Sequence, residues 1–216
     1  MYLELELFRA SPATHIVSLG EACANAYNLR RYYNFGGAFP FDWWVSDAEG
    51  LVRFLESPSI EFLYDVNRLT LSQTNDSVRN HDFNFIFQHE FKHDWSLPGH
   101  PIRADWTTNI EKPAQRSEAL LNKFLALNAN GNRVVFIRNG KTSPKIIASL
   151  EKLFPLPEWT FVHIDYIANG ENGWKGDTSL WDEALARLNI TLDLTKHKPF
   201  RETDPDVEFA ASLTMP

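Results

Sequence analysis

The sequence predicts an α/β domain: a mostly parallel sheet with helices on both faces, in three layers. Its second half alternates strand-like and helix-like segments four times, which is the pattern of such a sheet. Near the start, an apolar run at 14–20 ends in a glycine and leads straight into a helical pattern. A chain of 216 residues can bury one full core. We expect a single domain over 1–216, with its core at about 14–194 and a loosely packed polar extension at 195–216.

Local signals predict the individual elements. A helix at 21–33 follows the first strand. Ser46, with Glu49 three residues on, is the expected N-cap of the next helix, and Ser143 followed by Pro144 begins a later one. The remaining predicted strands are 84–91, 132–140, 159–166 and 189–194, and the remaining predicted helices are 112–127, 143–154 and 178–188.

Composition excludes several classes of function. The chain has 21 Lys and Arg against 28 Asp and Glu, a formal charge of −7, so binding to a nucleic-acid backbone is not expected. The apolar runs are too short to span a membrane, and residues 1–13 do not form a secretory signal. A single cysteine excludes an internal disulfide, so we expect a cytoplasmic protein. The glycines match no nucleotide-binding loop, and no cofactor is expected.

Cys23 is the only cysteine and lies where a helix follows the first strand. Unpaired N–H groups and the positive end of the helix dipole favour the thiolate there, which is the nucleophilic form. The same N–H groups could stabilise an oxyanion. The alternative is structural, because a free cysteine often behaves as a small buried apolar residue.

Polar side chains follow four of the predicted strands. They are Glu21 and Cys23, His89 and Glu90, Arg138 and Asn139, and His163 and Asp165. The carboxyl ends of parallel strands meet at one edge of a sheet, where ligands bind. We therefore expect these groups to converge, with His89 able to accept the thiol proton of Cys23. His163 and Asp165 are two residues apart on a strand and should share a face.

The segment HEFKH at 89–93 matches the H-E-x-x-H zinc pattern. That pattern binds zinc on a helix, where side chains four residues apart share a face. The preceding NFIFQ alternates like a strand, on which such residues are separated by about 13 Å. We therefore expect no metal site, and a metalloprotease is the least favoured hypothesis. His81 and His93 are alternative partners for Cys23.

The Gly- and aromatic-rich loop at 35–46 carries Asp42 and Trp43. A buried carboxylate requires a partner, which Arg30 or Arg31 could supply, so an ion pair that fixes the loop is favoured over an acid–base role for Asp42. Aromatic side chains also stack on glycans and peptides. The loop thus supports a second hypothesis, a non-catalytic glycan- or peptide-binding module.

Three sequence segments form a set: IVSLGEACANAYNLRRY, FPFDWWVS and FIFQHEF. Together they resemble a bacterial family of unknown function described as papain-like cysteine peptidases. The resemblance implies Cys23 as nucleophile and His89 as base, with Asp42 and Arg30 as further motif positions. It also implies a papain-like α+β fold, an alternative that the strand–helix alternation does not favour.

The leading hypothesis is therefore a cysteine hydrolase or acyltransferase of the peptidase type. Cys23 would attack a carbonyl and His89 would move the proton, with Asp42 as the third catalytic candidate. The supporting candidates are Glu21, Arg30, Trp43, Arg138, His163 and Asp165. The expected partner is a small-molecule, peptide or glycan substrate.

Overall fold

The computed structural model describes residues 1–167 and 173–202. The helices are α1 (Leu5–Arg9), α2 (Cys23–Tyr33), α3 (Ala48–Glu56), α4 (Ile60–Leu63), α5 (Glu111–Leu125), α6 (Pro144–Leu153) and α7 (Thr178–Leu188). The strands are β1 (His15–Ser18), β2 (Trp44–Val45), β3 (Leu69–Leu71), β4 (Val78–Asn80), β5 (Phe85–Phe87), β6 (Arg133–Asn139) and β7 (Glu158–Ile164).

A parallel sheet of three strands forms the centre of the molecule, in the order β1-β6-β7. Ser18 at the end of β1 lies opposite Ile137, and Asn139 at the end of β6 lies opposite Ile164. All three strands therefore finish at the same edge. The predicted parallel pairing of these three strands is confirmed.

Two apolar clusters cover the two faces of the parallel sheet. One contains Ile16, Val135 and Val162 from the strands with Leu29 of α2 and Trp181 and Leu185 of α7. The other contains Val17, Val134 and Phe136 with Phe124 of α5 and Ile146 and Leu150 of α6. Successive strand residues point to opposite faces, so the alternating apolar runs require cover on both sides. Helices supply it, as the three-layer prediction requires.

The molecule also has an antiparallel sheet, in the order β2-β5-β4-β3, which the sequence does not predict. Trp44 pairs with Phe87, and Asn80 pairs with Phe85. The sequence predicts that 84–91 joins the parallel sheet, but β5 pairs with β2 and β4, which are too short to give a periodic signal. The fold is therefore mixed α/β with two sheets, and the expectation of one mostly parallel sheet is wrong for this half.

Two smaller expectations also change. Asp47 rather than Ser46 caps α3, because its carboxylate accepts a hydrogen bond from the Gly50 N–H at 2.5 Å. The segment 189–194 forms no regular strand and makes one isolated parallel bridge, from Leu192 to Ala13.

The expected C-terminal extension is described only up to residue 202. Phe200 and Glu202 contact α2 through Tyr27, whose hydroxyl donates to the Glu202 carboxylate at 3.0 Å. Residues 203–216 of that prediction lie outside the described residues.

Candidate active site

Cys23 is the first residue of α2, directly after the turn that follows β1. The turn passes through Gly20, whose φ of 77° lies in the region that favours glycine. A Cβ at Gly20 would also collide with the side chain of Ser46. The Gly20–Glu21 peptide bond is cis. The predicted strand, turn and helix start are thus all present around the cysteine.

Asn25, in the first turn of α2, holds this turn against the sheet. Its side-chain amide donates to Ser18 Oγ at 3.0 Å, to the Gly20 carbonyl at 2.7 Å and to the Ile137 carbonyl at 3.0 Å. One buried side chain therefore ties the residues before Cys23 to both β1 and β6. Asn25 is not among the residues that the sequence predicts for the site. Its only local signal is a polar residue two positions after Cys23, where the helix enters the core.

The thiol of Cys23 is buried, with 7% of the residue exposed, and this decides its protonation. Burial raises the pKa of the Cys23 thiol to about 11. The N–H groups of Cys23 and Ala24 and the charge of Arg30 lower it, but by less. The helix N-terminus thus acts in the expected direction, whereas the expectation of a thiolate is wrong for the resting protein. At neutral pH the sulfur is protonated.

Arg138 lies behind the Cys23 turn and is fully buried. Its guanidinium donates to the carbonyls of Leu19, Ser46 and Lys141 at 2.6, 2.7 and 2.6 Å. Burial lowers the pKa of Arg138, and the Glu21 carboxylate acts against this shift. With its donors on backbone oxygens, Arg138 joins the end of β6 to the turn.

Glu21 lies at the same edge of the parallel sheet. Its carboxylate accepts a hydrogen bond from the Lys141 N–H at 2.8 Å. A Cβ at Gly140 would overlap this carboxylate, so the glycine makes room for it. The structure thus brings Glu21 and Arg138 together at the ends of β1 and β6, as expected.

Arg30, Trp43 and His89 lie in a row. The guanidinium carbon of Arg30 is 5.1 Å from the Trp43 ring centroid, and the rings of Trp43 and His89 are 6.1 Å apart at 76°. Because Trp44 pairs with Phe87, the residues just before β2 lie beside those just after β5. His89 therefore reaches this row from the antiparallel sheet. Its expected place at the edge of the parallel sheet is wrong.

Asp42 is buried, and its carboxylate accepts a hydrogen bond from the Phe39 N–H at 3.1 Å. Asp42 and Arg30 line the same small cavity, and both charges act on Lys123. Arg31, the other candidate partner, forms an ion pair with Asp182 instead. Of the two arginines, Arg30 is the one placed beside Asp42.

His163 and Asp165 are at the end of β7, which β6 separates from β1. Both are exposed, and the His163 ring contacts the Gly140 carbonyl. They line an open cleft beside α7 rather than the turn at Cys23. Asp165 accepts a hydrogen bond at its main-chain carbonyl from the Asn139 side chain at 2.7 Å, so this pair does lie at the same sheet edge as Glu21 and Arg138, as expected.

The HEFKH segment after β5 is not helical. The two ring nitrogens of His93 lie 2.6 Å from the His100 carbonyl and 2.8 Å from the Gln88 carbonyl. In the part of the chain that the structure describes, no three His, Cys, Asp or Glu side chains are grouped to hold a metal ion. His81 contacts Thr70 in the antiparallel sheet.

The aromatic loop at 35–46 is part of the core. Phe39, Phe41 and Trp43 have 4%, 0% and 3% of their surface exposed. Phe41 makes edge contacts with Trp44 and with rings of two helices. These faces pack against protein, so the loop does not present the stacking surface that the binding-module hypothesis requires.

Glu90, next to His89, is a buried carboxyl group that the sequence placed at an exposed edge. The indole N–H of Trp44 donates to it at 2.5 Å, and the Tyr64 hydroxyl donates to its other oxygen. Tyr64 also contacts Ser117 Oγ at 2.6 Å. Burial raises the pKa of Glu90 to about 7. Glu90 and the side chains of Trp44, Tyr64 and Ser117 thus form a hydrogen-bonded polar cluster inside the apolar core.

A family model described as "Putative papain-like cysteine peptidase (DUF1796)" matches residues 14–159. The chain belongs to this family. The match includes Cys23, Asp42 and His89, as the resemblance of the three segments implies. The family match ends within β7, so α7 lies outside it.

Other comparisons add no relatives to this family assignment. No curated protein and no solved structure matches the chain significantly. Among the described helices, none combines the length and the apolar character needed to cross a bilayer.

Proposed function

We propose that the protein is a thiol hydrolase of the peptidase type, in which Cys23 attacks the acyl carbonyl of a peptide or a related amide. The observation that carries the proposal is the position of the only cysteine. It begins a helix after a parallel strand, in a member of a family described as cysteine peptidases, with the charge of Arg30 acting on the thiol.

The proposed reaction has two halves. The imidazole of His89 takes the thiol proton while the sulfur forms a bond to the carbonyl carbon, and the carbonyl electrons move to oxygen. The tetrahedral intermediate collapses, the C–N bond breaks, and the imidazolium gives its proton to the departing amine. Water then attacks the thioester carbonyl as His89 takes its proton, the C–S bond breaks to release the acid, and the imidazolium returns the proton to the Cys23 sulfur.

A protonated resting thiol fits general-base catalysis by His89 better than a preformed thiolate–imidazolium pair. With the pKa of Cys23 at about 11, a preformed thiolate–imidazolium pair is disfavoured. We therefore assign His89 the role of a general base that acts during attack. The backbone N–H groups of Cys23 and Ala24, which act to lower the pKa of the thiol, are the candidates for holding the oxyanion.

Asp42 and Arg30 have positioning roles in this proposal. Both line one small cavity, Arg30 lies over the Trp43 ring, and His89 also lies beside that ring. An ion pair between Asp42 and Arg30 would fix Trp43 and, through its ring, the orientation of the base. Arg138 would hold the turn before Cys23 and would not contact substrate.

The test uses p-nitrophenyl acetate as an acyl donor with the full chain. An acid quench followed by intact mass spectrometry should find one added acetyl group, which neutral hydroxylamine removes as expected for a thioester. We expect C23A to form no such adduct and H89Q to form it about 100-fold more slowly. The matched control H81Q, which changes an exposed histidine, should stay within about twofold of the unchanged protein.

Two results would overturn the proposal separately. An absence of any acetyl adduct on Cys23 in the folded protein, even at a saturating concentration of the ester, would exclude the nucleophile. An H89Q variant that acetylates at the unchanged rate would keep the nucleophile and exclude the base. Circular dichroism of each variant distinguishes both results from a loss of folding.

A further inference from the structure

A second cavity lies at the opposite end of β1 from Cys23. It encloses about 200 Å³ and is lined by His15, Phe35, Gly36, Phe39, Lys123, Lys196, His197 and Lys198. Five of these eight side chains are basic, and none is acidic, although the whole chain carries a charge of −7. The 11-residue helix α2, which begins at Cys23 and ends near this cavity, spans about 16 Å. The cavity is therefore separate from the candidate active site.

Backbone and ring contacts hold the cavity walls in place. The Gly36 N–H donates to the Lys198 carbonyl at 2.6 Å, which joins the aromatic loop to the C-terminal segment. The His197 ring lies 5.5 Å from that of His15 and 5.6 Å from that of Phe35, and its Nε2 is 2.8 Å from the Thr14 carbonyl. The basic groups are thus fixed around one space rather than spread along a surface.

The charges in this cavity repel one another. The pKa of His15 is lowered to about 4, first by burial and then by His197, Lys196 and Lys123. The pKa of Lys123 is also lowered by burial and by Arg30, and only the Asp42 carboxylate acts in the opposite direction. His15 is therefore neutral at physiological pH, while the lysines remain without an acidic side chain in the lining.

Two carboxylates face these cations from outside the cavity. Asp42 is buried next to Phe39, and its carboxylate accepts a hydrogen bond from the Phe39 N–H. Asp193 is half-buried, and its pKa is lowered first by the hydrogen bonds that it accepts from Thr195 and then by Lys196 and His197. Neither belongs to the cavity lining, so an excess of positive charge faces the enclosed space.

We propose that this cavity binds a small phosphate-bearing anion. A phosphate group carries up to two negative charges and has oxygens in several directions, which suits lysines converging from different segments. The volume holds inorganic phosphate with room for a small organic substituent. Lys123 and Phe39 line the cavity and also lie beside Asp42. Only these two side chains would therefore separate the bound ligand from Asp42, one of the two proposed positioning residues.

The first test is calorimetric titration of the full chain with sodium phosphate at pH 7 and constant ionic strength. We expect saturable one-site binding that is weakened about tenfold in each of K196A and K198A. The control K152A removes an exposed lysine from the last turn of α6, outside the cavity, and should bind phosphate unchanged. Equal loss in K152A, or no saturable binding at millimolar phosphate, would overturn the proposal.

The second test reads the cavity directly by NMR titration of the histidine side chains. Bound phosphate should raise the pKa of His15 towards its usual range, because the anion offsets the repulsion from Lys123, Lys196 and His197. His163, on the far strand of the sheet, is the internal control. A phosphate effect of equal size on both histidines would mean non-specific screening and would contradict the site.

The calorimetric titration is repeated with sodium acetate in place of phosphate. Acetate should bind at least about tenfold more weakly, and equal binding would contradict the assignment to phosphate.

Discussion

The candidate active site combines groups from two sheets that hold their residues in different ways. Beside the parallel sheet, directional hydrogen bonds from Asn25 and Arg138 to main-chain oxygens fix the turn before Cys23. In the antiparallel sheet, ring packing dominates: Trp44 and Phe85 stack at 5.4 Å with planes 30° apart. Loss of a buried donor leaves oxygens unsatisfied, whereas packed rings tolerate similar shapes. We expect the nucleophile side to be the more sensitive to substitution.

The largest effect is expected from Arg138→Met, which removes the hydrogen bonds that fix the turn before Cys23. The carbonyls of Leu19, Ser46 and Lys141 would lose their buried donor. We expect the free energy of unfolding to fall by about 3–5 kcal/mol, measured by urea denaturation. The control Arg53→Met removes an exposed donor to the Asp82 carbonyl and should cost less than about 1 kcal/mol. Equal losses would mean that Arg138 does not fix the turn.

The next effect concerns the pH dependence of the ring-packed side. Glu90 has a folded pKa of about 7 against a usual value of 4.5, so the folded state binds the extra proton between these values. Its contribution to stability is therefore complete below pH 4.5 and is lost as the pH rises to about 7. The free energy of unfolding relative to Glu90→Gln should fall by about 3 kcal/mol between pH 4.5 and 8. Urea denaturation at several pH values checks this, and a constant difference would contradict it.

The smallest effect distinguishes the two neighbouring tryptophans. Trp44→Phe removes the indole donor to Glu90 and should lower the free energy of unfolding by about 2 kcal/mol. The indole N–H of Trp43 has no hydrogen-bond partner among the described residues, so Trp43→Phe should cost only about 1 kcal/mol. Thermal unfolding of both variants makes the comparison. The reverse order would mean that ring packing alone decides stability here.

The parallel half of the fold is predictable because its elements are long enough to carry a periodic signal. β6 and β7 have seven residues each, and α7 begins and ends where the pattern predicts. The strands β2 to β5 have only two or three residues. Their pairing depends on contacts between segments distant in sequence, and no local pattern reveals it.

The candidate site follows the same division. The position of Cys23 between a strand and a helix is predictable because a strand, a glycine turn and a helix start are local features. The burial that raises its pKa depends on tertiary packing, and so does the row of Arg30, Trp43 and His89. The strand-end rule places His89 at the edge of the parallel sheet because it assumes one sheet, whereas β5 belongs to the second sheet.

The burial of Cys23 has a consequence for oxidation. Peroxides react with the thiolate rather than the thiol, and a pKa of about 11 leaves very little thiolate at neutral pH. The resting protein should therefore keep its single sulfur reduced through oxidative stress that converts exposed, low-pKa cysteines to sulfenic acids. In that state the chain needs no second cysteine to rescue the first by forming a disulfide.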